Sequence, residues 1–314
     1  MFLNEKSDPS PGVSLEDLLL LLEPTSIKME LEGRTLVARH KHYTIRTEAV
    51  PPEVRESGNG PIRAVIRMTT DMPEQLGATL FTEPESTAIW NAHAALGALS
   101  YNRGKAYIGS RLTVYEAEDT WNNLQLPLLM FTITCGSEAI LGALRRSFTG
   151  EKPRKGFSNW TEKEFSQVES YLSRLCVCTT RGPGLTAEFG LAEGTSSAAA
   201  ADHKTALIEM MADRPHPELG GGLLILLQMP HRLNDQTRLR QLCVQLNNIE
   251  MVAPDFPPHF GGWCEGKLRN NLAYVTFLPN PMYSVSGIAL EVAIWAMNRA
   301  RQINLMLESL GLHA

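Results

Sequence analysis

The chain has 314 residues, 43% apolar and 20% charged, with 29 basic against 34 acidic side chains and a formal net charge of −5. This is the make-up of a folded chain about two domains long, which excludes wholesale disorder. Basic residues number 14 against 18 acidic in residues 1–150, and 15 against 16 in the rest. Neither half therefore carries the positive field that nucleic-acid binding needs.

Taken in chain order, Ser14 and Asp17 precede an apolar run to Leu22 and predict a short capped helix. Ile27–Leu31 and Thr35–Arg39 flank Glu32-Gly33-Arg34 and predict a hairpin, with Tyr43–Ala49 and Ile62–Thr70 as further strands. Thr82-Glu83-Pro84-Glu85 is a capping box with proline in the first turn, predicting a helix through Ile89, Trp90, Ala94 and Leu96. Lys105–Ile108 and Arg111–Ala117 read as two strands. Pro127 then opens a helix ending near Arg145-Arg146, where cations suit the negative end of the helix dipole.

In the second half, Thr161-Glu162-Lys163-Glu164 is another capping box, ahead of Phe165, Val168, Leu172 and Leu175 on one helical face. Leu185–Leu191, Thr205–Met211 and Gly222–Met229 read as strands. Asn234 or Asp235 can cap a helix with Leu239, Leu242, Leu246 and Ile249 at helical spacing. Trp263 and Leu272–Leu278 predict two strands, and Ser284 or Ser286 begins a last long helix that Gly311 stops.

The same order therefore occurs twice: helix, strands, helix, two strands, long helix. Landmarks correspond at a nearly constant offset, with Met72-Pro73 matching Met229-Pro230, Trp90-Asn91 matching Leu246-Asn247, Gly109 matching Gly266 and Leu112–Tyr115 matching Leu272–Val275. The predicted fold is α+β, with two similar domains over 1–149 and 159–314. Gly150–Ser158, polar and broken by Gly and Pro, reads as the linker, and Gly194–Ala201 as a low-complexity loop.

The first residues hold no basic region followed by an apolar stretch, and no run reaches the ~20 apolar residues of a spanning helix. The expectation is a cytoplasmic protein without membrane contact, its five scattered cysteines reduced.

The second half resembles a YbjN-type domain, a relative of the type III secretion chaperone fold. Leu246-Asn247, Gly262-Trp263 and Leu272-Ala273-Tyr274-Val275-Thr276-Phe277-Leu278-Pro279, followed by the long helix, carry the resemblance. The first half is similar more loosely, through Trp90-Asn91, Gly109 and Leu112–Tyr115, and lacks the Leu-Pro strand end. The resemblance implies in each half a twisted antiparallel sheet packed against helices. It also implies pairing of two such domains, here as an intrachain pseudo-dimer, and binding of peptide segments rather than catalysis.

Few constellations carry chemistry. His40-Lys41-His42 puts two imidazoles on one strand face without a third ligand, and Cys176-Val177-Cys178 lacks a second pair, so no metal site is expected. Gly58-Asn59-Gly60 and Gly220-Gly221-Gly222 precede strands, the wrong order for a phosphate cradle, and read as turn glycines. Arg145, Arg146, Lys152, Arg154 and Lys155 form a basic cluster that reads as a solvated helix end and linker. Large aromatics in loops, namely Trp121, Phe256, Phe260, Trp263 and Tyr283, are the candidate partner contacts. The expected function is non-enzymatic binding of a protein or peptide segment by a mainly monomeric chain that needs no cofactor. The alternative is a small-molecule-binding regulator, or an enzyme with a site assembled in the interdomain cleft.

Overall fold

A computed structural model describes residues 29–40, 43–50, 56–57, 60–72, 83–102, 104–115, 134, 136–191, 205–266 and 271–312. The expected helix at 14–22, Trp121, His42, Cys135, the helix start at Pro127 and the loop at 194–201 lie outside these residues.

Alternation of apolar and polar residues builds the strands. Thr205–Met211 buries Ala206, Ile208 and Met210 and leaves its intervening residues half-exposed, the pattern of a strand with one face on a core. Seven strands come from the first half: β1 (Met29–Glu32), β2 (Thr35–His40), β3 (Tyr43–Val50), β4 (Glu56–Ser57), β5 (Gly60–Asp71), β6 (Ala98–Asn102) and β7 (Lys105–Tyr115). They form an antiparallel sheet in the order β1-β2-β3-β5-β7-β6, with β4 paired to β5. The second half gives β8 (Val177–Thr180), β9 (Gly184–Gly190), β10 (Thr205–Met211), β11 (Gly222–Pro230), β12 (Gly262–Glu265) and β13 (Asn271–Pro279). Their antiparallel order is β12-β13-β11-β10-β9-β8. Read from the other end, this is the first sheet's order without β4. The protein is α+β.

The helices are α1 (Glu85–Trp90), α2 (136–149), α3 (Glu162–Leu172), α4 (Gln236–Glu250) and α5 (Ile288–Ser309). The capping box at Thr161 forms, with Glu164 accepting from the Thr161 backbone, and Asp235 caps α4 by accepting from Thr237 and Arg238. Gly287, at φ +78°, caps α5, so that helix starts later than Ser284 or Ser286. It crosses β10 and β11 and buries Val292, Ala293, Ala296, Ala300 and Ile303.

Helix α1, strand β7 and the register of the repeat also depart from the sequence reading. The helix expected through Leu96 ends at Trp90; a 3-10 turn over Asn91–His93 and Leu96 at φ +58° turn the chain into β6. Arg111 and Gly109 lie within one strand, β7, rather than at the junction of two. At Gly109 the Met251 side chain lies close, its methyl carbon 2.7 Å from where a Cβ would stand. The ladders also set the repeat's register. Ser110 pairs with Met68 and Thr276 with Ile225, so Ser110 and Thr276 are equivalent, while Met68 and Ile225 keep the spacing of Met72 and Met229. The longer segment between α4 and β12, 16 residues from Asn247 to Trp263 against 8 from Asn91 to Leu99, absorbs most of the difference, and Gly109 does not correspond to Gly266.

The halves meet reciprocally. Helix α1 of the first half packs on α4 and on β12 of the second, and α4 packs on β6 of the first.

Candidate functional site

Two buried asparagines organise the contact between the halves. Asn91, just after α1, accepts from the Leu99 N–H at 2.7 Å and donates to the Leu99 carbonyl at 2.9 Å. Asn247, in α4, does the same to Trp263, at 2.8 and 3.1 Å. Each carboxamide satisfies both backbone groups of a residue starting the next strand, which a smaller or charged side chain cannot do. Asn91 also reaches the Trp263 carbonyl at 3.4 Å, across the two halves.

Beside them lies a fully buried charge cluster. Glu250 ends α4 and accepts from Trp263 Nε1 at 2.6 Å, Arg299 Nε at 2.8 Å and His259 Nδ1 at 3.1 Å. Arg299 continues to the Pro258 carbonyl at 2.7 Å and lies over the Tyr274 ring at 4.0 Å. Arg111, from β7 of the first half, donates to the backbone carbonyls of Glu250, Phe256 and Pro257 and to Thr113 Oγ1. The segment Pro254–His259 thus turns its carbonyls onto two guanidinium groups. Its three prolines have no N–H that would need a partner there. His259 extends the first sheet, exchanging backbone hydrogen bonds with Arg111.

The electrostatics follow from burial and pairing. Burial pushes the Glu250 carboxyl up, but Arg299 and the His259 hydrogen bond outweigh it and hold it at about 2. Burial lowers Arg111 to about 10, so it stays charged at neutral pH. Burial also lowers His259, against the opposing pull of Glu250. A neutral imidazole therefore donates through Nδ1, and its buried Nε2 has no partner. Every charge here is sealed from water and engaged by a neighbour. The cluster joins the halves, with Arg111 of the first bonded to carbonyls of the second.

A second contact joins the halves at His216. Its Nε2 lies 3.1 Å from the His93 carbonyl, and Glu218 pairs with Arg146 of α2 at 2.5 Å. Burial drives His216 down to about 4.

The structure distributes the expected partner contacts unevenly. Trp263 is wholly enclosed and Phe260, packed edge-on against Trp295, nearly so. Both therefore contact the protein's own interior. Phe256 is half-buried against the core. Tyr283 is 39% exposed, edge-on to Trp160 at 5.6 Å, with its hydroxyl donating to Glu164. These four come together in no single surface. Cys176 and Cys178 have sulfurs 3.5 Å apart, and burial pushes the Cys176 thiol up to about 12, so it is a poor nucleophile. Among the described residues, no three His, Cys, Asp or Glu side chains are grouped to hold a metal ion.

Two open features remain. Strand β8 ends its sheet with the uncharged sequence Val177-Cys178-Thr179-Thr180, and among the described residues no strand pairs with its outer side. Val177 is 51% exposed, and Tyr171 and Leu175 are exposed beside it. The corresponding edge of the first sheet, β1, is defended by charge: Glu30 and Glu32 both bind Arg39. A cavity of about 190 Å³ lies past the β8–β9 turn, lined by Arg181, Gly184, Thr186, Glu209, Asp213 and Arg214 among others. Sequence reasoning missed β8 as a site, although four uncharged residues between turn signals were visible. It also missed Arg111, Glu250 and Arg299 as a cluster.

Among the described residues, no helix is long and apolar enough to cross a membrane. Compared with family models, curated proteins and solved structures, the chain matches none.

Proposed function

We propose that this protein is a non-enzymatic peptide-binding adaptor or chaperone-like protein, built as an intrachain pseudo-dimer of two YbjN-like domains. The shared strand order, the reciprocal packing of α1 and α4 and the paired roles of Asn91 and Asn247 support the pairing. The contact between the halves is filled by Arg111, Glu250, Arg299 and Trp263, so nothing there favours a small-molecule or catalytic site.

The observation that carries the binding reading is the outer edge of β8, with which no strand among the described residues pairs. A free edge offers a row of backbone donors and acceptors, and sheet proteins ordinarily blunt such edges with charge, proline or a cover. Here β1, the corresponding edge of the first sheet, is blunted and β8 is not. An extended segment laid along β8 gains main-chain hydrogen bonds. Val177, Leu175 and Tyr171 supply apolar contact for its alternate side chains.

Selection of random ten-residue peptides on the immobilised full chain tests this. Extended, uncharged peptides rich in β-branched residues are expected, with affinity falling at least tenfold for Val177→Lys. Selected peptides of that kind that bind Val177→Lys as well as the original protein would contradict the proposal, as would a selection that yields none.

A further inference from the structure

The segment 150–158 is not a slack tether. The Arg154 N–H donates to the Pro217 carbonyl at 2.6 Å, and Asn280 Nδ2 donates to the Phe157 carbonyl at 2.8 Å. The Asn159 N–H donates to Asn280 Oδ1 at 2.9 Å, so one side chain clamps the segment on both sides of Ser158. The backbone of this strap runs directly over Gly221, where a Cβ would lie 1.9 Å from the Phe157 oxygen.

The fixed backbone displays an unusual set of side chains. Phe157 is 96% exposed although its main chain is anchored, and Phe148 at the end of α2 is exposed as well. Leaving a phenylalanine in water forgoes the gain of burying its ring, whereas Trp160, three residues on, is buried. Lys152, Arg154 and Lys155 are exposed, and among the described residues no carboxylate pairs with their side chains. Arg145 reaches Glu151 only at 4.0 Å. On a chain of net charge −5, this is a local positive patch around a protruding aromatic ring.

We infer that the strap Lys152–Phe157 is a docking surface for a short acidic segment of a partner protein, with Phe157 as its apolar anchor. The charge distribution selects this occupant. An extended polyanion, such as a nucleic acid or an anionic membrane, meets the field of the whole molecule, which is negative. A short acidic segment meets only charges within about 8 Å, the screening length at physiological salt, and there the cations dominate. A rigid aromatic ring beside basic side chains is also the composition of a binding hot spot.

The test uses the full chain and an array of twelve-residue peptides graded in acidic and apolar content. Peptides combining Asp or Glu with Leu or Phe are expected to bind, more weakly as salt rises. The triple variant Lys152→Glu, Arg154→Glu, Lys155→Glu is expected to lose binding at least tenfold, and Phe157→Ser several-fold. These side chains are exposed, so the melting temperature is expected to stay put; a variant that does melt lower is replaced by the milder Lys152→Gln, Lys155→Gln pair, with the same direction expected. Val177→Lys is expected to leave acidic-peptide binding unchanged, which separates this surface from the β8 edge. No binding by any acidic peptide, binding indifferent to the charge reversal, or capture of phosphatidylserine vesicles in place of the peptides would overturn the inference.

Discussion

At the scale of single residues, the contact between the halves depends on charges that have left water. A buried ion pair adds little net stability over an apolar substitute, but removing one member strands the other. Glu250 answers to Arg299 directly and to Arg111 through its backbone carbonyl. Glu250→Gln is therefore expected to destabilise the chain by about 3–5 kcal/mol, read from urea midpoints. The pair Glu250→Leu, Arg299→Met is expected to cost less than Glu250→Gln alone; a double variant worse than the sum of the single ones would refute this view of the cluster. Part of this was legible in the sequence. Leu239, Cys243, Leu246 and Glu250 share one stripe of α4, and Val292, Ala296, Arg299 and Ile303 share one stripe of α5. Opposite charges on two apolar stripes are the signature of a buried pair. Trp263 and Phe260 were not assignable, because large aromatics near prolines read alike as core and as interface.

At the scale of elements, long strands with alternating burial were legible and the strap was not. The glycines and prolines of 150–158 mark a break in regular structure correctly. They say nothing of Pro217, Gly221 and Asn280, which hold the segment from sequence-distant positions. Similarly, helix α1 was overextended because Asn91 turns its side chain to Leu99, a contact that helical periodicity does not register. Gly221→Ala tests the strap's anchoring. Its methyl group would collide with the Phe157 carbonyl, so a loss of about 1–3 kcal/mol is expected. Tryptic cleavage after Arg154 or Lys155 is expected to quicken. Unchanged stability and unchanged cleavage would mean that the strap is loose already.

At the scale of the whole molecule, the contact between the halves is sensitive to acid. Burial lowers His93, His216, His231 and His259 alike. A histidine whose folded value lies below its unfolded one takes up its proton more readily when the chain unfolds. The stability it contributes is full above the unfolded value near 6.5 and lost as pH falls below it. For His216, at about 4 in the folded chain, the loss by pH 5 is roughly 2 kcal/mol. Glu250, held at about 2, is shifted in the same direction: its contribution is present above the ordinary carboxylate value and is lost only as pH falls through that lower range. The urea midpoint is therefore expected to drop between pH 7 and pH 5, with a shallower drop in His216→Asn. An equal slope in that variant would remove His216 from the account.

The claim that the molecule captures peptides along β8 is tested most directly by amide hydrogen exchange on the full chain, with and without a peptide selected on it. The account expects the outward amides of Val177–Thr180 to slow when peptide is bound, because they acquire main-chain acceptors, while β1, with its charged edge, keeps its rates. Protection that appears elsewhere while Val177–Thr180 exchange as fast as before would contradict it.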